Sequence, residues 1–174
     1  MKLSQAVSKI YTKKKPIDYA IYLVTIFLGI FLDQITKFLT VKFMYIGQSV
    51  PLIKDFLHIT YVQNTGAAFG MMKNSRWIFM ITSTVMIVAL LLYLFLGMAE
   101  NRLYAVSIAM IISGGIGNMI DRIFLGYVVD FIDFCGIWNA IFNGADSFVC
   151  VGAGLLILAL IIDIIKESKA KESK

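Results

Sequence analysis

Long apolar runs dominate this chain, and their length limits its fold more than any other feature. A bilayer core of roughly 30 Å requires about 20 apolar residues per helical crossing, and residues 17–39, 76–97, 103–124 and 147–165 meet that requirement. The 174-residue chain is 59% hydrophobic and 16% charged, with a mean hydropathy of +0.82, too apolar for a water-soluble domain of this size. Only a helix satisfies its own backbone N–H and C=O groups in lipid without closing into a barrel. The expected fold is a single integral membrane domain, 1–174, with four transmembrane helices and outer connections at 40–75 and 125–146.

Charge placement sets the expected orientation. The net charge of +5 does not point to nucleic acid, because the lysines sit at the ends, in "KIYTKKK" and "KESKAKESK", and do not interleave with aromatics. Lys9, Lys13, Lys14, Lys15, Arg102, Lys166, Lys169, Lys171 and Lys174 outnumber Lys42, Lys54, Lys73 and Arg76 in the first connection. The positive-inside rule then puts both termini and the turn "GMAENR" in the cytoplasm. The basic N-terminus and "IDYAIYLVTIFLGIF" read as an anchor, since no small-residue cleavage site follows and the run is long for a signal peptide. The first connection is longer than a turn needs, and "FLHITYVQN" has the β-branched and aromatic content of a strand.

The polar residues fall near one boundary. Asn118, Asp121 and Arg122 occupy positions i, i+3 and i+4 of the third span, and the cost of a charge in hydrocarbon, about 2.5–3.5 kcal/mol, makes Asp121 and Arg122 pair or bond to neighbours. An ion pair pinning the helix end and a direct chemical role are both open. Asp33 and Lys37, also i and i+4, read as an interfacial salt bridge with the lysine snorkelling outward. Asp130 and Asp133 follow the third span in "VVDFIDF", while Asn143 and Asp146 precede the fourth in "FNGADS". Asn143 and Asp146 alone resemble a capping box.

Two carboxylates converging at a partly desolvated boundary also suit an aspartic peptidase. Close neighbours cannot both ionise cheaply, so one keeps a proton while the other remains anionic. The anion takes a proton from attacking water and its neighbour protonates the developing oxyanion. This chemistry calls for no cofactor or metal. His58 is the lone histidine, which excludes a multi-histidine centre, and nothing local supports a Cys135–His58 pair. Cys135 and Cys150 suggest neither a disulfide framework nor a zinc site. Residue types alone leave Asp130 and Asp133 equally eligible.

Five segments, "DQITK" (33–37), "NTGAAFG" (64–70), "GGIGNMIDR" (114–122), "VVDFIDF" (128–134) and "FNGADS" (142–147), resemble the motifs of the bacterial lipoprotein signal peptidases, or signal peptidase II. Their order and spacing around four spans make the resemblance specific over nearly the whole chain. It implies an aspartic endopeptidase of the bacterial cytoplasmic membrane with a small exoplasmic β-rich cradle, acting near the exoplasmic face on diacylglyceryl-modified prolipoproteins among membrane lipids. Cleavage would fall immediately before the lipidated cysteine, and globomycin-type inhibitors would bind. The catalytic pair falls on Asp130 and Asp146. Asn64, Gly66, Asn118, Asp121, Arg122 and Asn143 match residues that bind substrate or support the dyad, whereas Asp33 and Lys37 remain structural. "IWNAIFN" lacks the proline that often precedes the family's "FN", and the extension through Lys15 exceeds the family minimum.

By spacing, "NTGAAFG" suits a tight turn as well as substrate contact; the resemblance favours contact. A proton-coupled transporter is the main alternative, but it should place acids near the midplane between inverted repeats. No repeat is present, and the acids cluster at one boundary. A scaffold leaves that clustering unexplained.

Overall fold

The computed structural model describes residues 14–66, 76–99 and 101–172. Lys9, Lys13, Lys73 and positions 67–70 of "NTGAAFG" lie outside the described residues. The elements run α1 (Pro16–Phe43), β1 (Ser49–Ile53), β2 (Leu57–Asn64), α2 (Arg76–Phe95), α3 (Arg102–Phe124), β3 (Val128–Phe134), β4 (Ile141–Phe142) and α4 (Gly144–Glu172). All four helices are long and apolar enough to cross a membrane. The expected architecture, four such helices with a small sheet, is the one observed.

Local chemistry explains the helix ends. Pro16 opens α1, where its missing N–H is no loss, and Asp18 accepts a hydrogen bond from the Lys15 N–H at 3.1 Å. Asn101 caps α3 by accepting from the N–H groups of Leu103 (2.9 Å) and Tyr104 (3.2 Å). At the other end of α3, Gly126 has φ +85° and donates its N–H to the Asp121 carbonyl. That left-handed residue stops the helix and turns the chain into β3.

The bundle is organised around α3. Half of its most apolar window is buried, against 17% for α1, 6% for α2 and 11% for α4, so the others turn most of their surface outward. Phe27, Phe31, Val85, Met86 and Ile164 are among the large apolar side chains exposed on those outer faces. Such a surface requires hydrocarbon around it. Tyr22, Leu94, Tyr104, Ile108 and Ile112 fill the interior between the helices.

Small residues bring α3 and α4 together. A Cβ at position 114 would fall on the backbone carbonyl of Ala145 and lie 2.7 Å from Val149 Cγ2. At position 117 it would lie 2.5 Å from Asp33 Oδ2. Without attraction between apolar helices in lipid, such close packing is a main source of their association.

The four strands form one antiparallel sheet in the order β1-β2-β3-β4. In its register Val62 faces Asp130 and His58 faces Asp133, with an irregularity between Ile59 and Val62. Because side chains alternate along a strand, Asp130 and Asp133, three residues apart, point to opposite faces. Asp130 is buried, whereas Asp133 accepts a hydrogen bond from Thr60 Oγ1 at 2.8 Å.

One pairing expectation needs correction and one open alternative is decided. Lys37 does not snorkel: it is 3% exposed, and its Nζ lies 2.9 Å from Asp33 Oδ2 and 3.0 Å from Asp121 Oδ2. A carboxylate from α3 reaches it inside the bundle, so the ammonium is neutralised where it sits. Asp121 and Arg122, for which the sequence leaves pairing and bonding to neighbours both open, bond to neighbours. Successive residues on a helix diverge by about 100°, and Arg122 instead lies over the Phe79 ring at 5.7 Å, with Nη1 donating weakly to the Asn118 carbonyl at 3.4 Å.

Gly114→Ala is expected to destabilise the protein by about 1–3 kcal/mol, the usual range for overpacking. Gly115→Ala should cost less, since its Cβ would meet only flexible Ile87 atoms at 3.2 and 3.3 Å. Thermal unfolding in detergent micelles distinguishes them; equal stability of both variants with wild type would contradict the packing described here.

Candidate active site

The C-terminal end of α3, the start of α4 and residues of β2, β3 and β4 surround a cavity of about 560 Å³. Asn64, Gly66, Asn118, Arg122, Asp130, Asn143 and Asp146 all line it. These residues come from separate segments, and the fold brings them together. Asp121, Asp33 and Lys37 are not lining residues; they form the buried cluster joining α1 to α3.

Three asparagines connect the two lining carboxylates. Asn64 Nδ2 donates to Asp130 Oδ2 at 2.9 Å, while its Oδ1 accepts the Gly66 N–H at 3.0 Å. Asn143 Nδ2 donates to Asp130 Oδ1 at 2.6 Å and to Asn118 Oδ1 at 3.1 Å. Asn118 Nδ2 then donates to Asp146 Oδ1 at 2.8 Å. A carboxamide has a donor end and an acceptor end. Each of these three therefore has its orientation set by partners at both ends.

The capping geometry expected for Asn143 and Asp146 is also present. Asn143 Oδ1 accepts the Asp146 N–H at 2.9 Å, and Asp146 Oδ2 accepts the Asn143 N–H at 3.3 Å. Capping and a place in the cavity are thus compatible: one carboxylate oxygen serves the helix start and the other meets Asn118. Asp33 Oδ1 accepts the Ala145 N–H at 2.7 Å, so α1 also holds the first turn of α4.

Asp121 braces the other side. Its Oδ2 accepts the Val129 N–H at 3.0 Å, which fixes the residue preceding Asp130, and its Oδ1 accepts from Gln34 Nε2 at 3.1 Å. Gln34, which also donates to Asp33 Oδ2 and the Gly117 carbonyl, is absent from the sequence-based site. The available signal was its position in "DQITK", one turn from Lys37 on the same helix face. The apolar wall of the cavity, with Ile141, Phe142 and Val149, carried no sequence signal separable from ordinary packing.

Burial dominates the electrostatics of Asp130. It pushes the carboxyl up from 3.8 to about 6, against the opposing hydrogen bonds from Asn64 and Asn143, with the negative charge of Asp146 adding to the rise. Asp130 can therefore hold a proton at a pH where an exposed aspartate has lost it. His58 and Cys135 do not line the cavity. His58 Nδ1 lies 3.2 Å from Ser49 Oγ on the sheet, so a thiol–imidazole pair has no geometric support here. Among the described residues, no group of three His, Cys, Asp or Glu side chains is arranged to hold a metal ion.

Comparison with known proteins gives a consistent result. The model of the family described as signal peptidase (SPase) II matches residues 25–162. A lipoprotein signal peptidase of Caldanaerobacter subterraneus subsp. tengcongensis is 52% identical over 73% of this chain and 86% of its own length. That of Halalkalibacterium halodurans is 42% identical over 88% of this chain and 98% of its own. A solved structure described as a bacterial membrane enzyme at 2.3 Å resolution superposes with a TM-score of 0.76 at 35% identity, covering 82% of this chain and 88% of that one. The chain belongs to the signal peptidase II family.

Proposed function

We propose that this membrane peptidase is an aspartic endopeptidase in which Asp130 and Asp146 share one proton, and that it removes signal peptides from diacylglyceryl-modified prolipoproteins by cutting before the lipidated cysteine. The observation that carries the mechanism is the asparagine-linked pair of carboxylates in one cavity. The names of the curated relatives, lipoprotein signal peptidases, support the substrate class. The family match leaves a transporter without support.

In this reaction the anionic carboxylate takes a proton from water as the water oxygen bonds to the scissile carbonyl carbon. The protonated carboxyl donates to the oxygen that becomes negative. Collapse of the tetrahedral species breaks the C–N bond, and the amine leaves with the proton first taken from water. Asn64, Gly66 and Arg122 supply polar contacts for the substrate backbone, while Asn118 and Asn143 orient the acids. Charge placement supports cytoplasmic termini and a site at the exoplasmic boundary, where substrate embedded in the cytoplasmic membrane can enter laterally. On this reading membrane lipids surround that route, and globomycin-type inhibitors would bind in the same cavity.

Cleavage of diacylglyceryl-modified and unmodified precursors in vitro tests substrate and chemistry together: the modified precursor should be cut and the unmodified one should not. Equal cleavage of the two contradicts the proposed specificity. Asp130→Asn and Asp146→Asn are each expected to lower kcat by at least about 100-fold, the scale of general acid–base catalysis, while substrate binding remains measurable. Asp133→Asn should retain appreciable turnover, because its side chain lies on the opposite sheet face and bonds Thr60. Complete loss in that variant would show that the wrong aspartate was chosen.

The pH dependence has a definite sign. The folded protein holds the Asp130 proton more tightly than the unfolded chain, so the stability associated with that proton is full below 3.8 and is lost as pH rises through about 6. If this proton is the shared one, kcat/KM falls over the same rise above about 6. A pH–rate profile that increases steadily through that window argues against the shared-proton mechanism.

A further inference from the structure

Lys37 reaches further than the ion pairs require. Its Nζ lies 2.9 Å from Asp33 Oδ2 and 3.0 Å from Asp121 Oδ2, and it also donates to Asn118 Oδ1 at 3.0 Å. An ammonium group has three hydrogens and no acceptor. Two are directed at the carboxylates that neutralise it; the third enters the active-site network.

That third bond selects one of the two orientations of the Asn118 carboxamide. With Oδ1 held by Lys37 and by Asn143 Nδ2, the amide nitrogen must face Asp146, to which it donates at 2.8 Å. The reversed amide would direct Nδ2 at an ammonium that cannot accept, and would offer oxygen to Asp146. A carboxamide oxygen accommodates only a protonated carboxyl, whereas an N–H favours the anion.

We infer that Lys37 is a positioning residue for peptide hydrolysis: through Asn118 it keeps an N–H donor on Asp146, making Asp146 the anionic partner that takes the proton of the attacking water and leaving the shared proton on Asp130. This assignment rests on the proposed aspartic dyad. It adds an asymmetry that a pair of aspartates does not specify by itself. The charged groups facing this network are Asp33 from α1, Asp121 and Arg122 from α3, Asp130 from β3 and Asp146 from α4. None of these is bonded to the Asn118 carboxamide oxygen; among the described charged groups Lys37 is the one that donates to it.

Replacing Lys37 alone would strand two buried carboxylates, so the test uses Asp33→Asn/Lys37→Met. The charges of Asp33, Lys37 and Asp121 sum to −1 before the change, and Asp121 alone leaves −1 after it. Relative to Asp33→Asn, which retains the Lys37–Asn118 bond, the double variant should lose at least about tenfold in kcat with little change in KM. The acidic limb of its pH–rate profile should move up by about one pH unit. Asp33→Asn/Lys37→Gln restores a neutral donor and should fall between the two; it also supplies the measurement if thermal unfolding shows the Met variant to be unfolded. An acidic limb and kcat matching those of Asp33→Asn in the Met or Gln variant would reduce Lys37 to a brace and overturn the inference. Asp146→Asn in the same assay separates the two claims: turnover there sinks the dyad itself, whereas an unaltered profile in the Lys37 variants sinks only the role of Lys37.

Discussion

The geometry of the cavity end of this bundle depends on one buried cation. Lys37 from α1 sits between its own neighbour Asp33 and Asp121 of α3. Removing the lysine from such a cluster is strongly destabilising, typically by about 3–5 kcal/mol, because uncompensated carboxylates stay behind in low dielectric. The cluster does more than offset charge. Asp33 also accepts from the first turn of α4, and Asp121 from the first residues of β3, so the elements carrying Asp146 and Asp130 are fixed to the same charged centre. A shift of α1 by even a fraction of a helical turn would disturb both carboxylates together.

This arrangement explains why the polar residues of a mostly apolar chain are concentrated in a few motifs. Hydrocarbon gives no compensation to an unpaired donor or acceptor, so each polar side chain at the end of the bundle must be matched inside the protein. The matching is nearly complete around the cavity: Asn64, Asn118 and Asn143 each use both ends of the carboxamide. Glycines at 114 and 117 are part of the same solution. They leave room for the α4 backbone and the Asp33 carboxylate to pack directly against the backbone of α3.

Much of the architecture was legible because membrane crossing imposes length and composition directly on sequence. The strand at Leu57–Asn64 was legible from β-branched and aromatic residues, and the Asn143–Asp146 cap from spacing. Partner choice was not. Spacing links Lys37 to Asp33, but it leaves open whether Asp121 and Arg122 pair or bond to other neighbours, because nothing in a one-dimensional pattern says which helices touch. Gln34 was overlooked for the same reason: its three acceptors lie on two helices. Residue types leave Asp130 and Asp133 equal and the family resemblance alone picks Asp130; a physical reason for the difference appears only with β3 as a strand, since strand alternation sends the two to opposite faces. "VVDFIDF" carries alternation too weak to establish that without its β2 partner.

The two lining aspartates occupy unlike environments even though their residue type is the same. Asp146 lies in the first turn of α4, where unpaired N–H groups and the positive end of the helix dipole favour negative charge. Asp130 lies mid-strand, buried, with no helix end behind it and a carboxyl displaced to about 6. A symmetric pair would leave the site of the shared proton undetermined. In the proposed dyad, backbone context would divide the roles: helix start for the anion, buried strand for the acid. The Lys37–Asn118–Asp146 hydrogen bonds would reinforce that division from a third element. The distribution of secondary structure around the cavity is thereby part of the proposed chemistry, and any redesign that moved both acids onto strands would have to supply the missing asymmetry by other charges.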